Sequence, residues 1–194
     1  MLFSEREYSG TSVDDIAVAA GISRRTFFRL FSGKQEILSS DHDVYFAEVV
    51  DHLSRHESER TVTRAARALE LVLDAFAAVP ADSRERYRLT RSHPVLKSEE
   101  LRWVPRYQSA LATFLGEPDE VPMRAELDAA SLVAAHNKAL REWLRDSAIN
   151  SPLTAFREAQ AIIVDPDSRQ GERKRIALVQ TELSLDDIRA RLEL

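Results

Sequence analysis

Apolar residues recur at helical spacing along most of the chain, and capping residues, glycines and prolines divide them into separate helices. The first clear boundary lies near the N-terminus, where Thr11 and Ser12 are N-cap residue types that are each followed three positions later by an acid. Val13, Ile16 and Ala20 then recur with the spacing of one helix face. We therefore predict a short helix that begins at this point.

A second short helix is predicted after a tight turn. Gly21 provides the permissive backbone that lets the chain leave the first helix abruptly, and Ser23 can cap the next one. In the segment from Arg24 to Phe31, Phe27 and Phe31 lie one turn apart on one side, which leaves polar side chains near the start and on the outer face. An apolar back combined with such donors is what a helix that reads the DNA major groove requires.

A long third helix connects this two-helix unit to the rest of the chain. Ser32 and Gln35 form a Ser-x-x-Gln capping box that starts it, and we expect it to run to about His56. Its inward-facing candidates are Ile37, Leu38, Val44, Tyr45, Val49 and His52. A helix of this length can join a small head to a larger body.

The body that follows is predicted to be helical. Amphipathic or capped stretches predict helices over residues 65–79, 82–90, 98–115 and 125–146, and from Pro152 onward. Pro105 is expected to kink or restart its helix after Val104, because proline removes a donor from a helix interior. Residues 125–146 are apolar on two sides, so this helix needs two packing partners.

The C-terminal residues 165–194 depart from this pattern. A polar linker over residues 165–175 precedes a segment with strand character, Ile176 to Thr181, and Ser184 caps a final short helix. A lone strand is not stable by itself. We expect it to pair with the equivalent strand of a second subunit or to pack as irregular structure.

Composition places the chain among cytoplasmic globular proteins. It has 194 residues, no cysteine and a formal charge of −5, which excludes disulfides and argues against general adhesion to nucleic acid. No apolar run has the length that a membrane span needs, and the first residues do not build a signal peptide. Yet the only charged residues between positions 16 and 35 are Arg24, Arg25, Arg29 and Lys34. This local positive charge is typical of a DNA-binding helix or, alternatively, of a solvated basic face.

The same stretch resembles a known family. Gly21-Ile22-Ser23, Thr26-Phe27-Phe28, Phe31 and Lys34, continued by residues 32–38, are similar to the helix-turn-helix signature of TetR-family bacterial transcriptional regulators, and the detailed resemblance covers residues 2–45. It implies an all-α fold with a three-helix DNA-binding head over residues 1–45, a helical effector-binding and dimerisation body over residues 46–164, and a C-terminal extension. The last two body helices, with Leu140 and Phe156, resemble the surface through which the family forms homodimers as a four-helix bundle.

Local charge and the resemblance together predict the DNA-binding residues. Lys34 occupies a position that contacts a phosphate in the family. The complete set is Thr11, Ser12, Ser23, Arg24, Arg25, Thr26, Phe28, Arg29 and Lys34. The resemblance implies that the partner is a double-stranded, palindromic operator, from which a small-molecule effector releases the protein as a repressor.

The N-terminal residues depart from the family pattern. Residues 2–8 resemble only the last turns of the family's first helix, and Glu7 stands where the family usually has glycine. We expect an earlier start codon upstream of Met1. The alternative is a small-molecule-binding protein that has lost operator binding.

Large aromatic and hydrogen-bonding side chains of the body are the candidates for an effector site. They are Trp103, Tyr107, Phe114, His136 and Trp143. If these residues line one cavity between helices, it is mostly apolar, which predicts an apolar or amphipathic effector. The alternative is an ordinary packed core.

No chemistry beyond binding is predicted. His52 and His56 are spaced i, i+4, but spacing places no third ligand beside them, so no metal site is expected. The chain has no phosphate-binding glycine-rich loop, and its histidines form neither a nucleophile-base-acid arrangement nor an HExxH motif. We therefore expect no enzymatic activity and no cofactor.

Overall fold

The computed structural model describes residues 8–55, 61–116 and 120–164, with residues 38–40 described by their backbone alone. Residues 8–10 are helical, and the helices that follow in these ranges are α1 Val13–Ala19, α2 Arg24–Leu30, α3 Lys34–Arg55, α4 Val62–Ala78, α5 Pro80–Ser92, α6 Pro94–Leu101, α7 Trp103–Leu115, α8 Met123–Arg145 and α9 Pro152–Val164. The fold is all-α, as the sequence predicts. No helix in the described ranges is both long and apolar enough to cross a membrane. The predicted strand-helix extension, Glu7 and the other residues before position 8 lie outside the described residues.

Capping chemistry shapes the head as the sequence predicts. The Ser12 hydroxyl accepts a hydrogen bond from the Asp15 backbone N–H at 3.1 Å, and the Asp15 carboxylate accepts one from the Ser12 backbone N–H at 2.9 Å, which completes a capping box at the start of α1. Gly21 has a φ of 67°, a left-handed conformation that lets the chain turn at once into α2. Ser23 caps α2 by accepting from the Thr26 backbone N–H at 3.1 Å.

α3 differs from its prediction at its start and on one face. The side chain that reaches back to Ser32 is Glu36 and not Gln35, and it accepts from the Ser32 backbone N–H at 2.5 Å and from the hydroxyl at 2.7 Å. An ionised carboxylate is a stronger acceptor than an amide, which favours this pairing. Val44 is 57% exposed, whereas Val49 is 0% exposed, because only the face that carries Val49 packs into the body core.

The helix predicted over residues 98–115 is two helices, α6 and α7. The break falls at Arg102 and not after Val104, so Pro105 is the third residue of α7. The first four N–H groups of a helix have no acceptor within it, and a proline there removes no hydrogen bond. The break therefore lies upstream of the proline.

α8 is the central helix of the body and packs against α4, α5, α7 and α9. His136 on its inner side lies edge-on to Phe156 of α9, with ring centroids 6.0 Å apart. Phe156 is 0% exposed and Leu140 is 8% exposed within one chain. Both side chains belong to the core of the protomer, which corrects their predicted position at a subunit interface.

One side of α8 remains exposed in the single chain. Leu127 is 57% exposed, and Ser131, Ala134 and Lys138 continue the same exposed stripe at helical spacing. One of the two packing partners that the sequence requires for this helix is therefore supplied within the chain. The other side has no cover from the described residues.

The head packs against the start of the body at α5 and α6. Tyr8 and Leu96 form a small buried cluster with Ile16 and Leu89, and the Tyr8 ring lies 4.9 Å from the ring of His93. His93 is the residue between α5 and α6. The head is thus in direct contact with the helix pair that continues into the body interior.

Candidate nucleic-acid interface and effector cavity

The outer face of α2 presents the predicted DNA-binding side chains to solvent. Arg24, Arg25, Phe28 and Arg29 are exposed, whereas Phe27 on the opposite side is 0% exposed. Phe27 lies against the Phe28 ring, with centroids 5.3 Å apart. This buried ring anchors the helix so that its polar face points outward.

Arg24 is held in place by an acid from the preceding helix. Its Nη1 donates to both carboxylate oxygens of Asp14 at 2.7 Å, and its guanidinium lies 5.3 Å from the centre of the Phe28 ring. The side chains of Arg24 and Asp14 are 60% and 62% exposed. An exposed ion pair of this kind contributes at most about 1 kcal/mol to stability. It therefore orients the arginine but can break when the side chain contacts DNA. Sequence reasoning missed Asp14, which it treated only as a first-turn acid.

The other predicted DNA-binding residues have structural roles within the head. Thr11 is 1% exposed, and the Ser12 and Ser23 hydroxyls are engaged in helix caps. The Thr26 hydroxyl lies 2.9 Å from that of Ser23. Lys34 donates from Nζ to the backbone carbonyls of residues 8 and 11, at 2.6 and 2.9 Å. DNA contact by these residues stays a prediction. The Lys34 ammonium group has three N–H donors, so one remains that could donate to a DNA phosphate.

The body encloses a cavity of about 260 Å³ bounded by side chains from α3 to α8. Of the five predicted effector residues, Trp103, Tyr107 and His136 line it. Phe114 and Trp143 are buried in the core, outside this lining, and the Trp143 ring lies beneath the Arg84 guanidinium at 4.6 Å. The geometry therefore narrows the candidate site to the first three residues.

His42 of α3 belongs to the same cavity and was missed from the sequence. Its ring stacks on Trp103 with centroids 5.5 Å apart. Its position relative to Tyr45 and Val49, at i+3 and i+7, places it on the inner face of α3, and this spacing could have identified it.

Three side-chain polar atoms in the cavity wall are buried and have no hydrogen-bond partner among the residues that the structure describes. They are the Tyr107 hydroxyl, the Nε2 atom of His136 and the Nδ1 atom of His42. An unsatisfied buried polar atom costs about 1–3 kcal/mol, so each would gain from a ligand that supplies a partner. Among the described residues no group of three or more potential ligands is arranged to hold a metal ion, and His56 lies outside that part of the chain.

The side chains of His42, His136 and Tyr107 in the cavity wall are neutral at physiological pH. Burial lowers the pKa of His136 to about 4, opposed by a hydrogen bond with Asn137. Burial, followed by the nearby Arg86 charge, lowers the pKa of His42 to about 4. Burial also raises the pKa of Tyr107, which stays protonated. The interior therefore offers uncharged hydrogen-bonding groups between apolar walls.

Comparisons with known proteins agree with this architecture. The sequence profile described as "Bacterial regulatory proteins, tetR family" matches residues 1–40, which include the capped helix pair α1 and α2. The chain is a TetR-family transcriptional regulator. It is 28% identical over 156 residues to a proposed mycofactocin biosynthesis transcriptional regulator, MftR, of Mycobacterium tuberculosis, a match that covers 77% of each chain. It is also 30% identical over 82 residues to an uncharacterized HTH-type transcriptional regulator, YxbF, of Bacillus subtilis, covering 41% of this chain and 22% of that protein.

The stability of this TetR-family regulator is expected to fall as the pH drops from 6.5 to 4. Below its ordinary pKa of 6.5 the unfolded His136 binds a proton, whereas the folded side chain does so only below about 4. The unfolded state holds more protons in this window, which costs up to about 1.4 kcal/mol per pH unit for each such histidine. Urea unfolding at several pH values should show a shallower pH dependence for His136→Leu than for the native chain. An identical slope would contradict the buried neutral histidine.

Proposed function

We propose that this TetR-family regulator is a homodimeric repressor that occupies a palindromic operator and leaves it when a small molecule enters the body cavity. The observation that carries the proposal is the position of Leu96. This side chain lines the cavity and also packs against Tyr8 of the head. A change in the cavity wall can therefore shift the head without any intermediate element.

The mechanism is a population shift between two head arrangements. Half-sites about 34–36 Å apart, or a multiple of this distance, must be met by both heads at once. An effector that fits only the arrangement with wrongly spaced heads lowers operator affinity by its differential affinity for that arrangement. The division into a head over residues 1–45 and a body over residues 46–164 belongs to this proposal, and α3 runs across the boundary.

The open side of α8 supports the homodimer part of the proposal. The exposed stripe from Leu127 to Lys138 contains small side chains, and Ala161 of the neighbouring α9 is also exposed. Small residues allow two helix pairs to approach closely as a four-helix bundle across a two-fold axis. Such a pairing would supply the second partner that α8 lacks within one chain.

Selection of bound DNA from a random pool, followed by binding measurements on variants, tests operator recognition. Arg25→Ala and Arg24→Ala are each expected to cost about 1–3 kcal/mol on the selected site and less on random DNA, because base contacts carry the specificity. Lys34→Ala should instead weaken both DNAs similarly and reduce the salt slope by about one phosphate per subunit. Arg67→Ala, an exposed cation on α4, is the matched control and should change neither quantity.

The outcomes separate the proposed function from its alternative. Equal losses on both DNAs for the two arginine variants would make them backbone contacts. An unchanged salt slope would remove Lys34 from the DNA surface. If the protein enriches no DNA sequence from the random pool, it is a small-molecule-binding protein without operator recognition. The repressor proposal is then wrong.

A further inference from the structure

The rim of the body cavity carries cations that have no ion-pair partner among the described residues. Arg91 of α5, Lys97 of α6 and Arg141 of α8 line the cavity, and all three are exposed. Within the described ranges no carboxylate lies within 4.0 Å of any of them. They come from three different helices, line one cavity and all lie near enough to Glu100 to act on its carboxyl.

The other charged groups of the wall already have partners. Arg86 pairs with Asp41, and Glu99 accepts from Arg102 at 2.9 Å. Arg145 donates to the Tyr87 hydroxyl at 2.8 Å. The charges of the wall that no ion pair within the described part of the chain balances are therefore those of Arg145, the three rim cations and the single carboxylate of Glu100.

Glu100 does not neutralise this group. Burial raises the pKa of its carboxyl, and the charges of Arg141, Arg91 and Lys97 act in the opposite direction. Even when it is ionised, one carboxylate faces three cations. The formal charge of the chain is −5, so its overall composition does not explain the excess of positive charge at this cavity. Recognition of an anionic ligand would explain it.

We propose that the effector is a small organic carboxylate, with its anionic end between Arg91, Lys97 and Arg141 and an apolar ring against Trp103. This inference rests on the effector role proposed for the cavity and specifies its ligand. The cavity of about 260 Å³ has the volume of about nine liquid waters, which suits a single ring with a short acid side chain. The unpartnered Tyr107 hydroxyl and His136 Nε2 can then bind an oxygen on the ring.

The test compares an acid with its neutral isostere. Hydroxyphenylpropionate and its primary amide share their size, ring and hydroxyl, and they differ in the charge at one end. The chain contains two tryptophans, so the variant Trp143→Phe leaves Trp103 in the cavity wall as the single tryptophan, which can be excited selectively over the tyrosines. Titration of each probe against this variant reports binding inside the cavity.

We expect the acid to bind at least about tenfold more tightly than the amide, because a charge-assisted pair with arginine is about twice as strong as a neutral hydrogen bond. Added salt should weaken binding of the acid alone. Arg141→Gln, made in the same background, should remove most of the difference. Arg67→Gln, an exposed arginine on α4 outside the cavity, is the control and should preserve it.

Equal binding of acid and amide overturns the carboxylate inference, and so does the absence of a Trp103 response to either probe. An Arg141→Gln variant that keeps the full preference also overturns it, because the rim would then not recognise the charge. Release of selected operator DNA is measured separately with the same probes. Selective binding of the acid without any release of DNA would contradict the proposed repressor function. It would still support a carboxylate as the ligand of the cavity.

Discussion

Replacing Phe27 by alanine is expected to lower the free energy of unfolding by about 3–5 kcal/mol and to abolish operator binding. Phe27 is 0% exposed, and its ring lies 5.3 Å from the Phe28 ring and 5.5 Å from the Phe31 ring. Deleting a fully buried aromatic side chain removes its transfer free energy and leaves a cavity beneath α2. The helix that presents the arginines would lose its anchor.

The neighbouring Phe28 provides the matched control. It has the same chemistry on the same helix, but its side chain is 46% exposed. Phe28→Ala is therefore expected to cost about 0.5 kcal/mol of stability, as is usual at exposed positions. Urea unfolding followed by circular dichroism distinguishes the two variants by their stability. Operator binding is measured for Phe27→Ala alone, because Phe28 itself belongs to the predicted DNA-binding residues. Similar losses of stability for both would contradict the position of Phe27 as the anchor of the head.

The second large effect is expected from Ala134→Glu on the open side of α8. Ala134 is exposed in the single chain, so a glutamate there leaves the protomer core intact. In the proposed dimer this position faces the partner subunit, where an unpaired charge costs several kcal/mol. Sedimentation should then show monomers. Operator affinity should fall by about 100-fold or more, because the two heads no longer bind as one unit.

Ala81→Glu makes the same change at another exposed alanine, in the first turn of α5. A negative charge is tolerated there because it lies at the positive end of the helix. This control should leave both the dimer and the operator affinity unchanged. A charge at Leu140 or Phe156 would not be informative, because these side chains are buried within the protomer and their substitution tests the fold. If the Ala134→Glu protein remains dimeric, subunits associate through a different surface.

The capped helix pair of the head could be predicted nearly to the residue because its determinants are local. Ser12 and Asp15 form their capping box three residues apart, and Gly21 adopts its left-handed conformation within one turn. The same short range explains why Ser23 was recognised as a helix cap. These interactions depend on neighbours in sequence and not on distant packing.

The body was predicted at the level of its helices and incorrectly in several details. Val44 was expected to face inward, and the helix break was expected after Val104, because periodicity states which residues share a face but not which face meets a partner. The cavity shows the same limit. Trp103 and Trp143 are both aromatic and buried, yet only Trp103 lines the cavity.

The sequence by itself determined the all-α class, the capped helix pair and its local positive charge. Each of these follows from residues within about two helical turns of one another, where capping and periodicity act. Only the tertiary structure decided that Asp14 orients Arg24, that His42 joins His136 around one cavity, and that the same cavity is lined by three cations without an ion-pair partner in the described part of the chain. These groups are brought together by helix packing, which arises from the burial of apolar surface over the whole chain and leaves no local signal in sequence.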